Sequence, residues 1–436
     1  MPACCQVVTT LDNATMQFHS GQIRDASRRA NFWTPKRILL VVLTTTTASL
    51  IGGWYSKAGC TLGTNGHPLS GCYSDIQYLW SARHLGHHLF PYVHGQYRTA
   101  FGFIEIRHGE LEYPVVIGVF AWVVGLFAHN GQSFWVANAV GIIPFAAVAT
   151  WVLYKLVGLR ALYVVAAPTL AYYAFINWDV LAVATVVVGV WLWYRRYPYA
   201  AAIVLTIGGF TKVWPAFILV PIVLELLWYR RLKAARNLVL TTITTAAVLN
   251  VPFMLVNFRG WYAPYAFQSL EQVTTGANSI WYWTFPTLST ASINHLSWAL
   301  TVLGFIGIAF VSWRRARAEH TFPVLQMSAS MVLWFVLVAK VWSPQYDLWL
   351  LPFFALLLVP ARWWLVFVAI DTWLYVVWFP HPETGALLLL PVFARLLFGA
   401  LMLLWILFHS TSALPPSEDP AGLVSLHQTP EVGSPA

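Results

Sequence analysis

The sequence predicts an all-α polytopic membrane protein, a bundle of about twelve transmembrane helices. Three observations carry that expectation. Of 436 residues, 58% are apolar and only 9% charged, against about 25% charged in an ordinary soluble domain. Apolar runs recur along almost the whole length, so this is not a soluble enzyme on a single anchor. The 24 Trp and 19 Tyr suit a chain with many helix ends at membrane–water interfaces. The net charge of +9 falls in short clusters between apolar runs. That is the positive-inside pattern and not a duplex-binding face, so no nucleic-acid partner is expected.

Residues 1–36 are polar and mixed, carry Cys4-Cys5, and lack the apolar core of a signal peptide. Arg24, Arg28, Arg29, Lys36 and Arg37 precede the first apolar run and mark this tail as cytoplasmic. The transmembrane domain is expected over 37–409. Its apolar runs lie at 38–55, 114–128, 134–154, 161–176, 178–194, 199–212, 214–229, 237–256, 287–311, 323–341, 347–360, 363–379 and 386–408. Several fall short of the roughly twenty residues that cross a bilayer core. Short helices are tolerated where they are buried in protein or line a wet cavity.

Arg230, Arg231, Lys233 and Arg236, and again Arg314, Arg315 and Arg317, mark further cytoplasmic turns. The loops 56–113 and 257–286 are then external, as are the turns at Pro344 and at His381-Pro382. Two cytoplasmic tails require an even number of crossings. Joining 199–229 into one Pro-broken crossing gives twelve, at the cost of placing Arg195 and Arg196 outside. Residues 410–436, with Pro415-Pro416, Pro420, Pro430 and Pro435, read as a disordered cytoplasmic tail. The expected setting is the plasma membrane. Cys60 and Cys72 share the first external loop and either pair there or stay as two thiols.

Ionisable residues are costly at membrane depth and mark function there. Asp75 leads, in Gly71-Cys72-Tyr73-Ser74-Asp75-Ile76-Gln77-Tyr78. From Ile76 to Phe90, apolar and polar residues alternate as in a short amphipathic helix lying in the interface. Asp75 at its start either caps the helix or stands as an ionised base favoured by the helix dipole. Glu112, in Glu110-Leu111-Glu112-Tyr113-Pro114, orients an acceptor hydroxyl or simply ends a loop, with Pro114 opening a helix. Asn177 and Asp179 flank Trp178 between two apolar runs, as structural support or as cavity lining.

Lys212, in Gly208-Gly209-Phe210-Thr211-Lys212-Val213-Trp214-Pro215, needs an anion, and a lipid phosphate suits it; the bland alternative is snorkelling. The 257–286 loop carries Trp261, Tyr262, Tyr265, Trp281, Tyr282 and Trp283, suited to stacking on a sugar or to an interfacial belt. In Lys340-Val341-Trp342-Ser343-Pro344-Gln345-Tyr346-Asp347, Gln345 and Tyr346 offer hydrogen bonds to a phosphate or sugar and Lys340 a charge. No HExxH, P-loop or GxSxG occurs, so zincin, ATPase and hydrolase readings lack support. The thirteen His form no metal-ligand pair; His84 and His88 read as the polar face of a helix.

The order Ser74-Asp75-Ile76, Glu112-Tyr113-Pro114, Asn177-Trp178-Asp179, Gly208 to Pro215 and Ser343 to Pro352 resembles the GT-C glycosyltransferases of the DUF2029 group, family GT87. This group includes the actinobacterial polyprenol-phosphate-mannose-dependent α-mannosyltransferases. The resemblance covers about residues 38–360. It implies a GT-C-like bundle around an external cavity and a sugar, most often mannose, carried on a polyprenyl monophosphate. It implies Asp75 as the general base of an inverting transfer to a glycolipid or glycan acceptor. Lys212, Gln345, Tyr346 and Lys340 would hold the donor phosphate, with Tyr78, Glu112, Asn177, Asp179 and Trp281 around the acceptor. Many GT-C enzymes carry two adjacent acids where this chain has one, so no metal or other cofactor is expected. The rival readings are a flippase for lipid-linked saccharides, which would favour repeated halves absent here, and a non-catalytic scaffold of envelope assembly.

Overall fold

The computed structural model describes residues 34–58, 73–100, 103–107, 110–379 and 385–414. Most of both tails, the Cys60–Cys72 pairing and the His381-Pro382 turn lie outside the described residues. The described chain is almost wholly helical, and six of its helices are long and apolar enough to cross a membrane: Pro35–Lys57, Gly131–Val165, Leu232–Val256, Thr290–Glu319, Ala361–Trp378 and Leu387–His409. This is an all-helical membrane protein.

Five shorter apolar helices accompany them: Val115–Gly125, Asp179–Tyr194, Pro198–Gly209, Trp214–Trp228 and Val324–Val338. Sixteen residues of helix span only ~24 Å, less than the ~30 Å hydrocarbon core. Burial explains why that is tolerated. Asp179–Tyr194 is buried on nearly every face, and Val324–Val338 likewise, whereas Leu232–Val256 buries only Ala235, Leu238 and Asn250. Helices that touch lipid are long; helices wrapped in protein need not be.

Local chemistry sets the element ends. Helix Gly131–Val157 begins with a capping box, Ser133 N–H donating to Asn130 Oδ1 at 2.8 Å and Asn130 N–H to Ser133 Oγ at 3.0 Å. The expected amphipathic helix from Ile76 is shorter, Asp75–Ala82, followed by a 3-10 turn at Leu85–His87. It breaks because His84 and His88 take left-handed backbone conformations, with φ of 52° and 53°. A two-stranded antiparallel hairpin, β1 (Gln96–Ala100) and β2 (Phe103–Arg107), follows. The sequence had suggested no strand.

The 199–229 stretch is not one continuous helix. Helix Pro198–Gly209 reverses through Gly208–Ala216 into Trp214–Trp228. The reversal is tight: a Cβ on Gly208 would lie 2.2 Å from Thr185 Oγ1 and 2.8 Å from Pro215 Cβ. Glu225 thereby returns beside Tyr194, where the preceding helix ended.

Contacts between helix ends define one basic end of the bundle. Tyr154 Oη donates to Pro35 O at 2.9 Å, and Arg160 to Val359 O at 2.8 Å. Ala413 N–H donates to Leu356 O at 2.7 Å, Tyr194 meets Ser412, and Arg315 donates to Ser410 O at 2.6 Å. Arg195 and Arg196 follow Tyr194 and so belong with the other basic clusters. The expectation that they face the opposite side is corrected by the reversal at Gly208.

Candidate functional site

Asp75 opens helix Asp75–Ala82 at the end of the bundle opposite the basic clusters. Ser74 holds the N-cap position, but its hydroxyl donates outward to Phe175 O at 3.0 Å and Ile176 O at 3.2 Å. Ile76 N–H adds a bond to Ile176 O at 3.3 Å. The helix start is thus bolted to the segment before Asn177. The Asp75 carboxylate caps nothing. Its Oδ1 accepts the Tyr73 hydroxyl. Its Oδ2 accepts Asn177 Nδ2 at 2.7 Å and, more weakly, Gln345 Nε2 at 3.4 Å.

An ionised carboxylate offers about four lone-pair positions. Three are engaged, and the remaining one lies on Oδ1. Burial pushes the Asp75 carboxyl up from its usual range, while the Tyr73 and Asn177 hydrogen bonds and the Lys212 charge pull it back.

Around this group lies a cavity of about 760 Å³. Of the residues singled out in the sequence, Asp75, Tyr78, Glu112, Asn177, Lys212, Lys340, Gln345 and Tyr346 all line it. Asp179 and Trp281 do not. Asp179 is fully buried one layer behind, accepting Trp349 Nε1 at 2.8 Å and facing Lys212 Nζ at 3.5 Å. Trp281 packs inward because its indole N–H needs a buried acceptor. It finds one 2.9 Å away in Val338 O, a carbonyl freed at the end of its helix.

The cations of the cavity wall are already engaged. Lys212 stands at the Gly208–Ala216 reversal, paired with Asp179, its ammonium 4.8 Å from the Tyr113 ring centroid and 5.6 Å from that of Tyr346. Lys340 Nζ donates to Gln268 O and, at 3.0 Å, to Glu271 O. It thus closes the C-terminus of the helix Phe258–Leu270. Its first duty is to hold that helix over the cavity. Arg83 grips Glu112 with two bonds, of 2.8 and 3.0 Å. Sequence reasoning missed Tyr73, Tyr113, Arg83 and Glu271 on this wall. Tyr73 had a signal, standing two residues before Asp75; the pairing of Arg83 with Glu112, 29 residues apart, had none. Among the described residues, no group of three or more His, Cys, Asp or Glu is placed to hold a metal.

Glu110 lies outside the cavity wall and is fully buried. It accepts Tyr92 N–H at 2.8 Å and Leu111 N–H at 3.2 Å, and a Cβ on Gly95 would fall on its carboxyl. Burial pushes its pKa from 4.5 to about 8. The folded state then holds this proton more tightly than the unfolded chain. The resulting stabilisation is full below pH 4.5 and declines as pH rises toward 8. Glu110→Gln is expected to flatten that decline. A thermal melt of the purified protein across this range checks it; an unchanged slope would assign the pH dependence elsewhere.

No protein-family model matches the chain, and no curated protein matches it either.

Proposed function

We propose that this protein is a membrane glycosyltransferase. It moves a sugar, most simply mannose, from a polyprenyl-phosphate donor to a glycolipid or glycan acceptor of the cell envelope. The observation that carries the reading is Asp75. It is a carboxylate held by three donors, with one lone pair left, on the wall of a large cavity in an apolar helical bundle.

The mechanism follows from those positions. Asp75 Oδ1 takes the proton of an acceptor hydroxyl. The freed oxygen attacks the anomeric carbon from the face opposite the phosphate. The carbon–oxygen bond to phosphate breaks, its electron pair leaves on the phosphate, and configuration inverts. Lys212 is the cation for that phosphate, with Gln345 and Tyr346 beside it. Such charge stabilisation is strongest where water is excluded. Holding two amphiphiles in line supplies a further share of the rate.

The same reading takes a GT-C-like bundle with twelve passes. Helix Val115–Gly125 begins at the cavity, where Val116 N–H donates to Phe210 O at 3.1 Å. It ends with Gly125 close to Phe134, near the start of the next long helix. We read it as a re-entrant segment and 199–229 as two passes, which keeps the number even. Both tails and the basic end are then cytoplasmic, and the cavity faces outward from the plasma membrane.

The test is transfer of radiolabelled sugar from polyprenyl phosphate by the full chain in vesicles. Use of a sugar nucleotide in its place, or no transfer at all, would overturn the reading. A finer expectation concerns Tyr73→Phe. Losing its hydroxyl removes a donor to ionised Asp75 and lets the carboxyl rise. The acid limb of kcat/KM should therefore move to higher pH, and an unmoved limb would remove Tyr73 from the site.

A further inference from the structure

The Tyr113 hydroxyl has a proton that the described protein does not use. A phenol carries one donor and two acceptor positions. Asn177 Nδ2 donates to the Tyr113 oxygen at 2.6 Å. That direction is fixed, because the other end of the Asn177 amide accepts Trp178 N–H at 2.6 Å and the same Nδ2 donates to Asp75 Oδ2 at 2.7 Å. The amide therefore presents only hydrogens to Tyr113 and takes none back. No described side chain or carbonyl accepts the Tyr113 O–H. The residue lines the cavity, so its proton is offered there.

Two further observations say what it is offered to. The Lys212 ammonium lies 4.8 Å from the Tyr113 ring centroid, so the phenol stands on the same side of the cavity as the charge proposed to hold phosphate. Burial and the nearby Asp75 and Glu112 carboxylates push the phenol well above its usual range, so it stays protonated and acts only as a donor.

We infer that Tyr113 is a further catalytic residue, whose hydroxyl donates a hydrogen bond to the phosphate oxygen of the departing polyprenyl phosphate. The inference rests on the transfer reaction proposed above. No proton moves along this bond. The electron pair of the breaking carbon–oxygen bond settles on the phosphate, and Tyr113 and Lys212 meet the added charge. Asp75 takes the acceptor proton. One amide, Asn177, sets the position of both the base and this donor, which links the two halves of the reaction through a single side chain.

The test is Tyr113→Phe in the full chain, reconstituted in nanodiscs, with three readouts. Removing an oxyanion donor typically costs about 10²–10³ in rate, so kcat should fall by roughly that factor with the acceptor KM unchanged. The acid limb of the pH profile should stay in place, because the phenol sets no proton affinity at Asp75 directly. Inhibition by free polyprenyl phosphate, which carries the charge of the leaving group, should weaken at least tenfold, about 1.4 kcal/mol, while inhibition by the uncharged polyprenol stays the same.

The inference is overturned by a kcat within threefold of wild type, by an equal loss for phosphate and alcohol, or by a shifted acid limb, which would mean that Tyr113 acts through Asn177 on Asp75. Matched melting temperatures exclude misfolding. Should the wild-type chain transfer no sugar yet bind polyprenyl phosphate in a Tyr113-dependent way, the transfer reading fails and the phosphate contact stands. Should it bind neither donor nor product, both fall.

Discussion

Asp75→Asn is expected to reduce sugar transfer by about 10²–10⁴-fold, the usual contribution of a positioned general base. The substitution removes the proton acceptor and little else. Asn has the same outline, and its carbonyl can take the Oδ2 place before Asn177 and Gln345. Its amide would then meet Tyr73, whose hydroxyl rotates and accepts. The fold should survive, so an unchanged melting temperature with lost transfer separates chemistry from stability. Asp75→Glu is the companion. It keeps the charge but pushes the carboxylate about one methylene into the cavity, where a displacement near 1 Å can cost 10²-fold. Near wild-type transfer by folded Asp75→Asn would remove Asp75 as the base and with it the proposed mechanism.

The second large effect separates two roles of one cation. Lys212→Met deletes the proposed phosphate ligand and also strands Asp179, which is fully buried. Breaking a buried pair by removing one partner costs about 3–5 kcal/mol, because the surviving charge has lost its compensation. Asp179 then keeps neutral donors such as the Trp349 indole N–H, 2.8 Å away on Oδ1, and has no cation facing it. Lys212→Met alone should therefore melt much earlier and transfer poorly. The double variant Lys212→Met with Asp179→Asn removes both charges and should recover most of the stability. Its transfer should stay low, with a raised donor KM. Recovery of activity along with stability would show that Lys212 serves the fold and not the phosphate.

The parts of the site that could be read from sequence share one physical reason. In a chain so poor in charge, each polar residue between apolar runs stands out. Asp75, Glu112, Asn177, Lys212, Lys340, Gln345 and Tyr346 come from five separate segments, and they meet at one cavity. What escaped was masked by the same apolar background. Tyr113 looks like one more aromatic in an interfacial belt, and only the hydrogen bond it accepts from Asn177 sets it apart; Tyr73 was marked by its place beside Asp75 alone. Trp281 shows the converse error: an aromatic in the right loop whose indole N–H was claimed by Val338.

Lys340 was identified for its charge, yet the carbonyls of Gln268 and Glu271 claimed it, a helix end that periodicity does not locate. The fold class followed from composition, while the path of the chain did not. Pro215 with Gly208-Gly209 announces a break, but a kinked pass and a reversal carry the same residues. Only the Gly208 contact with Thr185 and the return of Glu225 to Tyr194 choose between them. The Asp347–Arg395 contact, 3.5 Å across a gap of 48 residues, leaves no local trace at all.

The division between long lipid-facing helices and short enclosed ones has a mechanical consequence. A bilayer acts on a protein through the mismatch between its own thickness and the helices it touches. Here those are helices such as Leu232–Val256, which buries few of its residues. Asp179–Tyr194 and Val324–Val338, which run up to Asn177 and Lys340, are sheathed in protein. Thinner or thicker membranes therefore tilt the outer staves, while the spacing of Asp75, Lys212 and Gln345 is governed by side-chain packing within the bundle. The groups that line the cavity are thereby insulated from bilayer thickness.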